Sequence, residues 1–122
     1  MARTTACTDR TEEPMEFRCP LVAVEDMAAS RAFYETVLEQ EVALDFGANI
    51  TFRGGFALQT RSSWAEFIDR REEDVSRGSS DFELYFEEEE FDALLERLQA
   101  HVLDYVHLVR EYPWGQRVVR FY

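Results

Sequence analysis

Four side chains of this chain have types and settings that could do chemistry: Glu83, Gln59, Cys19 and His107. Glu83 sits in the alternating stretch Phe82-Glu83-Leu84-Tyr85-Phe86, where it projects away from the apolar face. A carboxylate so placed is either solvated or turned into a pocket, where it suits a hard cation such as Mg²⁺, Mn²⁺ or Ca²⁺. Gln59 offers a neutral amide oxygen to the same kind of cation, or a hydrogen bond to a ligand or water. Cys19 reads either as a small buried hydrophobe or as a thiolate suited to a softer metal. His101 and His107 are the only histidines. His101 falls near a helix C-terminus, where contact with the dipole accounts for it. His107 falls in a strand, in phase with Tyr105 and Val109. Trp64, Trp114, Tyr85 and Phe46 could wall a pocket for a flat or apolar ligand, or serve as ordinary core.

Several chemistries are missing from the sequence. It contains no His-x-His or His-x-x-x-His pair and no C-x-x-C, so no stand-alone zinc motif can be read. It has no Gly-x-Ser-x-Gly elbow and no glycine-rich phosphate loop. All 13 basic residues are arginines, which excludes a Schiff-base lysine. The formal net charge of −12 disfavours nucleic acid and anionic membrane surfaces. No apolar run approaches the roughly 18 residues needed to span a bilayer. The absence of a signal-peptide core and of a disulfide framework makes a reducing cytoplasm the expected location.

The elements that must position these residues follow from hydrophobic periodicity. Residues 1–14 are polar and aperiodic and are predicted to be a disordered extension. Phe17–Val24 reads as a strand, Asp26 as an N-cap, and Met27–Leu38 as a helix with an apolar stripe. Strands follow at Glu41–Phe46, Ile50–Arg53 and Phe56–Thr60, separated by Gly47-Ala48-Asn49 and Gly54-Gly55. Residues 62–80 read as a linker in which Ser63 could cap a short helix. Then the order begins again. Asp81–Glu87 is predicted as a strand, and the four acids Glu87 to Glu90 lead into a helix from Phe91 to about Ala100. Strands Tyr105–Glu111 and Arg117–Tyr122 flank a turn at Pro113–Gln116. Shifting the second half back by 64 positions superposes the two patterns, which predicts two similar modules, the second one strand short.

The run Pro20-Leu21-Val22-Ala23-Val24-Glu25-Asp26-Met27-Ala28-Ala29-Ser30-Arg31-Ala32-Phe33-Tyr34 resembles the opening of the vicinal-oxygen-chelate superfamily. That superfamily includes glyoxalase I, bleomycin-resistance proteins, fosfomycin-resistance enzymes and extradiol dioxygenases. Gly54-Gly55-Phe56-Ala57-Leu58-Gln59, Phe82-Glu83-Leu84-Tyr85-Phe86-Glu87 and Pro113-Trp114-Gly115-Gln116-Arg117 resemble it too. The resemblance spans Met15 to Tyr122. It implies a single α+β domain over residues 15–122, built of two βαβββ modules at about 15–61 and 81–122. The last strand of the second module is missing from the chain, so either a continuation beyond Tyr122 or a partner chain is expected to fill that place.

Metal-using members of the superfamily carry ligands on the first and last strands of each module. The corresponding positions here are Cys19, Gln59 and Glu83, a chemically mixed trio unlike the His and Glu sets of glyoxalase-type centres. If a cofactor is present, a divalent metal ion is the expectation, with Glu83 and Gln59 as its ligands. The favoured function is binding of a small molecule in a cleft between the modules, by Glu83, Gln59, Cys19, Tyr85, His107, Trp64 and Trp114. A bound cationic aromatic compound would be drawn by Glu83 and the acidic surface. The alternatives are a metal-dependent lyase or isomerase of the glyoxalase type and a non-catalytic structural module. A homodimer is expected by the same resemblance.

Overall fold

The computed structural model describes residues 4–6, 15–78 and 80–122. The extension predicted over residues 1–14 lies, apart from residues 4–6, outside the described residues. The chain divides into two compact units, one up to Leu84 and the other Tyr85–Tyr122.

The first unit runs β1 (Leu21–Val24), α1 (Met27–Thr36), β2 (Val42–Asp45), β3 (Asn49–Phe52) and β4 (Ala57–Thr60). Asp26 starts α1 from an extended backbone, its carboxylate accepting the Ala29 amide at 3.0 Å, as an N-cap should. Glu39 at φ 53° turns the chain out of the helix. Arg31 then ties α1 to β2, donating to Glu35 at 2.9 Å and to Asp45 at 2.7 Å. The sheet order is β1-β4-β3-β2, with β1 parallel to β4 and the other pairs antiparallel. The parallel pairing of β1 with β4 needs a long crossover, here α1, β2 and β3, while tight turns at Gly47 and Gly54-Gly55 keep β2, β3 and β4 antiparallel.

β4 is an interior strand and is buried along most of its length. β3 alternates, with Ile50 and Phe52 buried and Asn49 and Thr51 partly exposed. Ile50, Phe52, Phe56 and Leu58 form the core on one face, flanked by Val22, Val24, Met27, Tyr34, Val42 and Leu84. The Phe52 and Phe56 rings stack at 4.8 Å, and Tyr34 of α1 lies against both at 5.7 and 5.2 Å. Removing each such side chain from water contributes about 1.5–3 kcal/mol.

Residues 62–80 hold more structure than a linker. α2 (Arg61–Phe67) follows β4 directly, and a 3₁₀ turn spans Glu72–Asp74. The cap position of α2 belongs to Thr60, so Ser63 lies inside the helix rather than at its start. The helix is tied to the loop beyond it by Arg61, which donates to the carbonyls of Val75 and Ser76, each at 3.1 Å.

The strand predicted over Asp81–Glu87 is not formed. In the first unit β1 is paired by β4 alone, the last strand of its module. Among the described residues the second unit has no counterpart of β4, so residues 81–87 have no ladder to join. Alternating sequence without a partner for its amides does not make a strand. Of the apolar residues there, only Leu84 packs on the first unit's core; Phe82 and Phe86 are exposed.

The second unit consists of α3 (Phe91–Gln99) and the antiparallel hairpin of β5 (Tyr105–Glu111) and β6 (Arg117–Phe121). Leu98 of α3 is fully buried. Arg117 joins the hairpin to α3, donating to Asp92 at 2.9 Å and lying 4.9 Å from the Phe91 ring centroid. The hairpin turn is Pro113-Trp114-Gly115, closed by Gly115 N–H to Tyr112 O at 2.8 Å and Tyr112 N–H to Gln116 O at 2.9 Å. Gly115 adopts φ 91°, the left-handed residue that follows a type I turn in such loops. Pro113 supplies the fixed φ that the turn's first corner requires.

Candidate functional site

In the first unit, the face of the sheet opposite the aromatic core carries polar side chains. Register sets Asn49 beside Gln59 and Thr51 beside Ala57 on that face. Gln59 is only 4% exposed, and both ends of its amide are engaged. Its oxygen accepts from Asn49 Nδ2 at 2.8 Å, and its nitrogen donates to Ser63 Oγ at 2.6 Å. Ser63 Oγ also lies 2.5 Å from Thr60 Oγ1 and 3.1 Å from the Thr60 carbonyl. Thr51 donates to Asn49 Oδ1 at 3.3 Å. Trp64 follows on α2 and is half-buried, next to a cation, Arg61, that is itself buried with its Nε left without a hydrogen-bond partner.

The donors of this unit do not fit a metal cage. β1 and β4 pair with Ala23 opposite Gln59 and Leu21 opposite Ala57. Cys19 therefore precedes β1 and stands four residues along the chain from the position beside Gln59, roughly 13 Å away in an extended strand. Glu83 is exposed. Among the described residues no group of three His, Cys, Asp or Glu side chains converges as metal ligands would.

The second unit brings Tyr85, His107 and Trp114 into one array. Trp114 Nε1 donates to Gln116 Oε1 at 3.0 Å, Gln116 Nε2 donates to the Tyr85 hydroxyl at 2.9 Å, and that hydroxyl donates to Glu87 at 3.1 Å. Tyr112 stacks on Trp114, with centroids 4.7 Å apart and planes 8° from parallel. The Tyr112 hydroxyl accepts from Arg120 Nη1 at 3.3 Å, and the same nitrogen lies 3.1 Å from His107 Nε2. Trp114 is nevertheless 70% exposed. It is a large aromatic surface in water whose orientation is set by a ring on one side and an amide at its edge.

Bulges decide which residues share this face. His107 is opposite Arg120, and Arg110 is opposite Val118, with register shifts between Tyr105 and His107 and between His107 and Arg110. Val118 and Arg120 lie two apart on β6 and point the same way. Hence His107, Arg110 and Arg120 lie on one face of the hairpin. Strict alternation would have separated His107 from Arg110 and grouped His107 with Tyr105; the extra residues of the bulges reverse both expectations. Tyr105 pairs instead with Phe121 on the other face, their rings edge to face at 6.4 Å.

His107 Nδ1 lies 2.7 Å from the Leu108 carbonyl, and its Nε2 lies 3.1 Å from Arg120 Nη1. Arg120, and to a lesser degree Arg110, hold the Tyr112 phenol below its ordinary range by favouring the phenolate.

Sequence reasoning missed Gln116, Tyr112, Arg110 and Arg120. Gln116 lies in the turn Pro113–Gln116 and Tyr112 just before it, yet nothing there separates a turn residue from a hydrogen-bonding one. The two arginines were hidden by the bulges. A charge count would have shown a signal: residues 105–122 carry Arg110, Arg117 and Arg120 against Glu111 alone, a net +2 within a chain of net −12.

A family model for a Glyoxalase-like domain matches residues 17–122, and the chain belongs to that family. Among solved structures it is similar to a protein of unknown function from Agrobacterium tumefaciens str. C58, at 33% identity and TM-score 0.74, covering 90% of this chain and 86% of the other. It is also similar to a glyoxalase/bleomycin resistance protein/dioxygenase from Nocardioides, at 21% identity and TM-score 0.59, covering 93% and 79%. A lactoylglutathione lyase from Agrobacterium tumefaciens shares 20% identity at TM-score 0.55, covering 88% and 84%. Among curated proteins none matches this chain. No helix of the described residues is long and apolar enough to cross a membrane.

Proposed function

We propose that the protein binds a small organic molecule on the polar and aromatic face of hairpin β5–β6, with Trp114 as its platform. The observation that carries this reading is the exposed yet immobilised indole, stacked on Tyr112 and hydrogen-bonded to Gln116. Exposed aromatic surface gains most when a ligand covers it, and a pre-ordered ring loses little freedom on binding. The bonded series Trp114, Gln116, Tyr85 and Glu87 supplies the few convergent polar groups that orient a ligand on an apolar surface. Family membership agrees with a ligand-binding role. The likeness to a lactoylglutathione lyase, at 20% identity, carries the fold and not the reaction.

A small-molecule screen followed by the Trp114 indole N–H signal tests this. Hits should shift that signal saturably, and Trp114→Ala should weaken them about tenfold or more, the scale of an aromatic hot spot. Hits that bind equally well to the Trp114→Ala protein would place the site elsewhere.

A further inference from the structure

We infer that the buried guanidinium of Arg61 receives an oxyanion, a phosphate or a carboxylate, on its Nε–Nη2 edge. This site belongs to the first unit, whereas the Trp114 platform belongs to the second. Arg61 is the first residue of α2 and only 7% exposed. Charged side chains are seldom buried to this degree unless an opposite charge meets them. Among the described residues no carboxylate forms an ion pair with Arg61. Its acceptors are two neutral carbonyls, those of Val75 and Ser76, each 3.1 Å from Nη1.

The planarity of a guanidinium decides which edge is free. Its five N–H groups form a rigid fork, in which Nε–H points the same way as one N–H of Nη2. That pair is the edge that takes two oxygens of a carboxylate or phosphate at once. The Val75 and Ser76 carbonyls occupy Nη1 alone. Nε is sealed from solvent with no hydrogen-bond partner, and among the described residues it is the one side-chain nitrogen or oxygen so placed. Nη2 has no bonded acceptor either, but it is not sealed, so an anion reaches the edge from that side. A buried N–H without a partner and a buried charge without its opposite both cost stability. One oxyanion on this edge removes both costs. The acids nearest along the chain leave the edge open. Asp74, next to Val75, and Glu73 are both held by Arg71, while Glu66, Asp69 and Glu72 are exposed. Exposed carboxylates repel an anion only weakly through water and salt.

The test is an NMR titration of the full chain with sodium phosphate, sodium acetate and sodium chloride, at matched ionic strength and constant pH. The Arg61 Nε–H signal, assigned through the backbone, is followed. Phosphate, acetate or both should move it saturably, and the tighter of the two names the oxyanion. Chloride, which has no second oxygen to span the fork, should not. The same oxyanion should raise the thermal midpoint as its concentration rises, as a ligand of the folded state does. Arg61→Lys keeps a cation within reach of the Val75 and Ser76 carbonyls but has no fork. It should bind the oxyanion at least about tenfold more weakly, the scale of one charge-assisted hydrogen bond. An Arg61 signal that answers phosphate and acetate no more than chloride overturns the inference, and this holds whether or not the variant folds. A thermal shift of equal size in the Arg61→Lys protein overturns it as well.

Discussion

Gln59 is buried with both ends of its amide bound by neighbouring side chains, so its role in the first unit is as much to satisfy Asn49 and Ser63 as to be satisfied by them. Gln59→Leu keeps the volume and removes both bonds, leaving the half-buried Asn49 amide without its acceptor while Ser63 keeps its contacts with Thr60. The expected cost is about 1–3 kcal/mol, measurable as a lower urea midpoint; an unshifted midpoint would show that water replaces the side chain freely. The tyrosines supply a second residue-scale prediction. Burial pushes the Tyr34 phenol up, whereas Arg120 and then Arg110 bring Tyr112 down. In an ultraviolet pH titration Tyr112 should ionise before Tyr34, and Tyr112→Phe should remove the earlier of those two steps. The signs for stability are opposite. Above the ordinary phenol value of about 10, the unfolded chain releases a proton that folded Tyr34 retains, so that contribution is lost as pH rises. Tyr112 adds stability as pH rises through its lowered value, and this addition is complete above the ordinary one.

At the scale of elements, the β3–β4 pair holds the first unit together because β4 is interior to the sheet and Phe52, Phe56 and Leu58 bury one face of the pair. Phe52→Ala removes a ring that stacks on Phe56 and touches Tyr34. It should cost about 3–5 kcal/mol in chemical denaturation followed by far-ultraviolet circular dichroism. A loss under 1 kcal/mol would mean that the core closes over the gap. In hairpin β5–β6 the turn plays the comparable part. Gly115 at φ 91° has open space where a Cβ would be, so Gly115→Ala meets no clash and its penalty is that of a left-handed backbone, about 1–2 kcal/mol. Because the turn also aims Trp114 at Gln116, the indole N–H signal should move in the same variant. A displaced melting point with an unmoved indole signal would separate turn strain from site geometry.

For the whole molecule, a net charge of −12 on 122 residues means self-repulsion in the folded state. The ion pairs between described residues are largely exposed, as with Arg77 and Glu25 or Arg53 and Glu41, and pairs of this kind contribute little. Screening should therefore relieve more repulsion than it costs in attraction. The thermal midpoint is expected to rise with added sodium chloride through the physiological range. A fall would identify the ion pairs as the larger effect.

How much of this was legible in the sequence depends on how local the cause is. α1, its Asp26 cap, the β2, β3 and β4 run and hairpin β5–β6 follow from periodicity, capping and turn residues, all set by neighbours along the chain. The family's fold was recognisable from the same short segments. The segment Asp81–Glu87 alternates as convincingly as β3, yet only β3 has strands on both sides, and a ladder partner is a tertiary fact. Gln59 was identifiable as a polar residue on a buried strand, but its bonds to Asn49 and Ser63 depend on strand register and on α2. Trp114 and His107 stood out as individual residues. Their joining through Tyr112 and Arg120 came from two bulges that rotate the strand's faces. Residue type and local pattern were enough to determine which elements form. Which side chains meet was decided by register and bulges, because a shift of one residue along a strand sends every side chain to the opposite face.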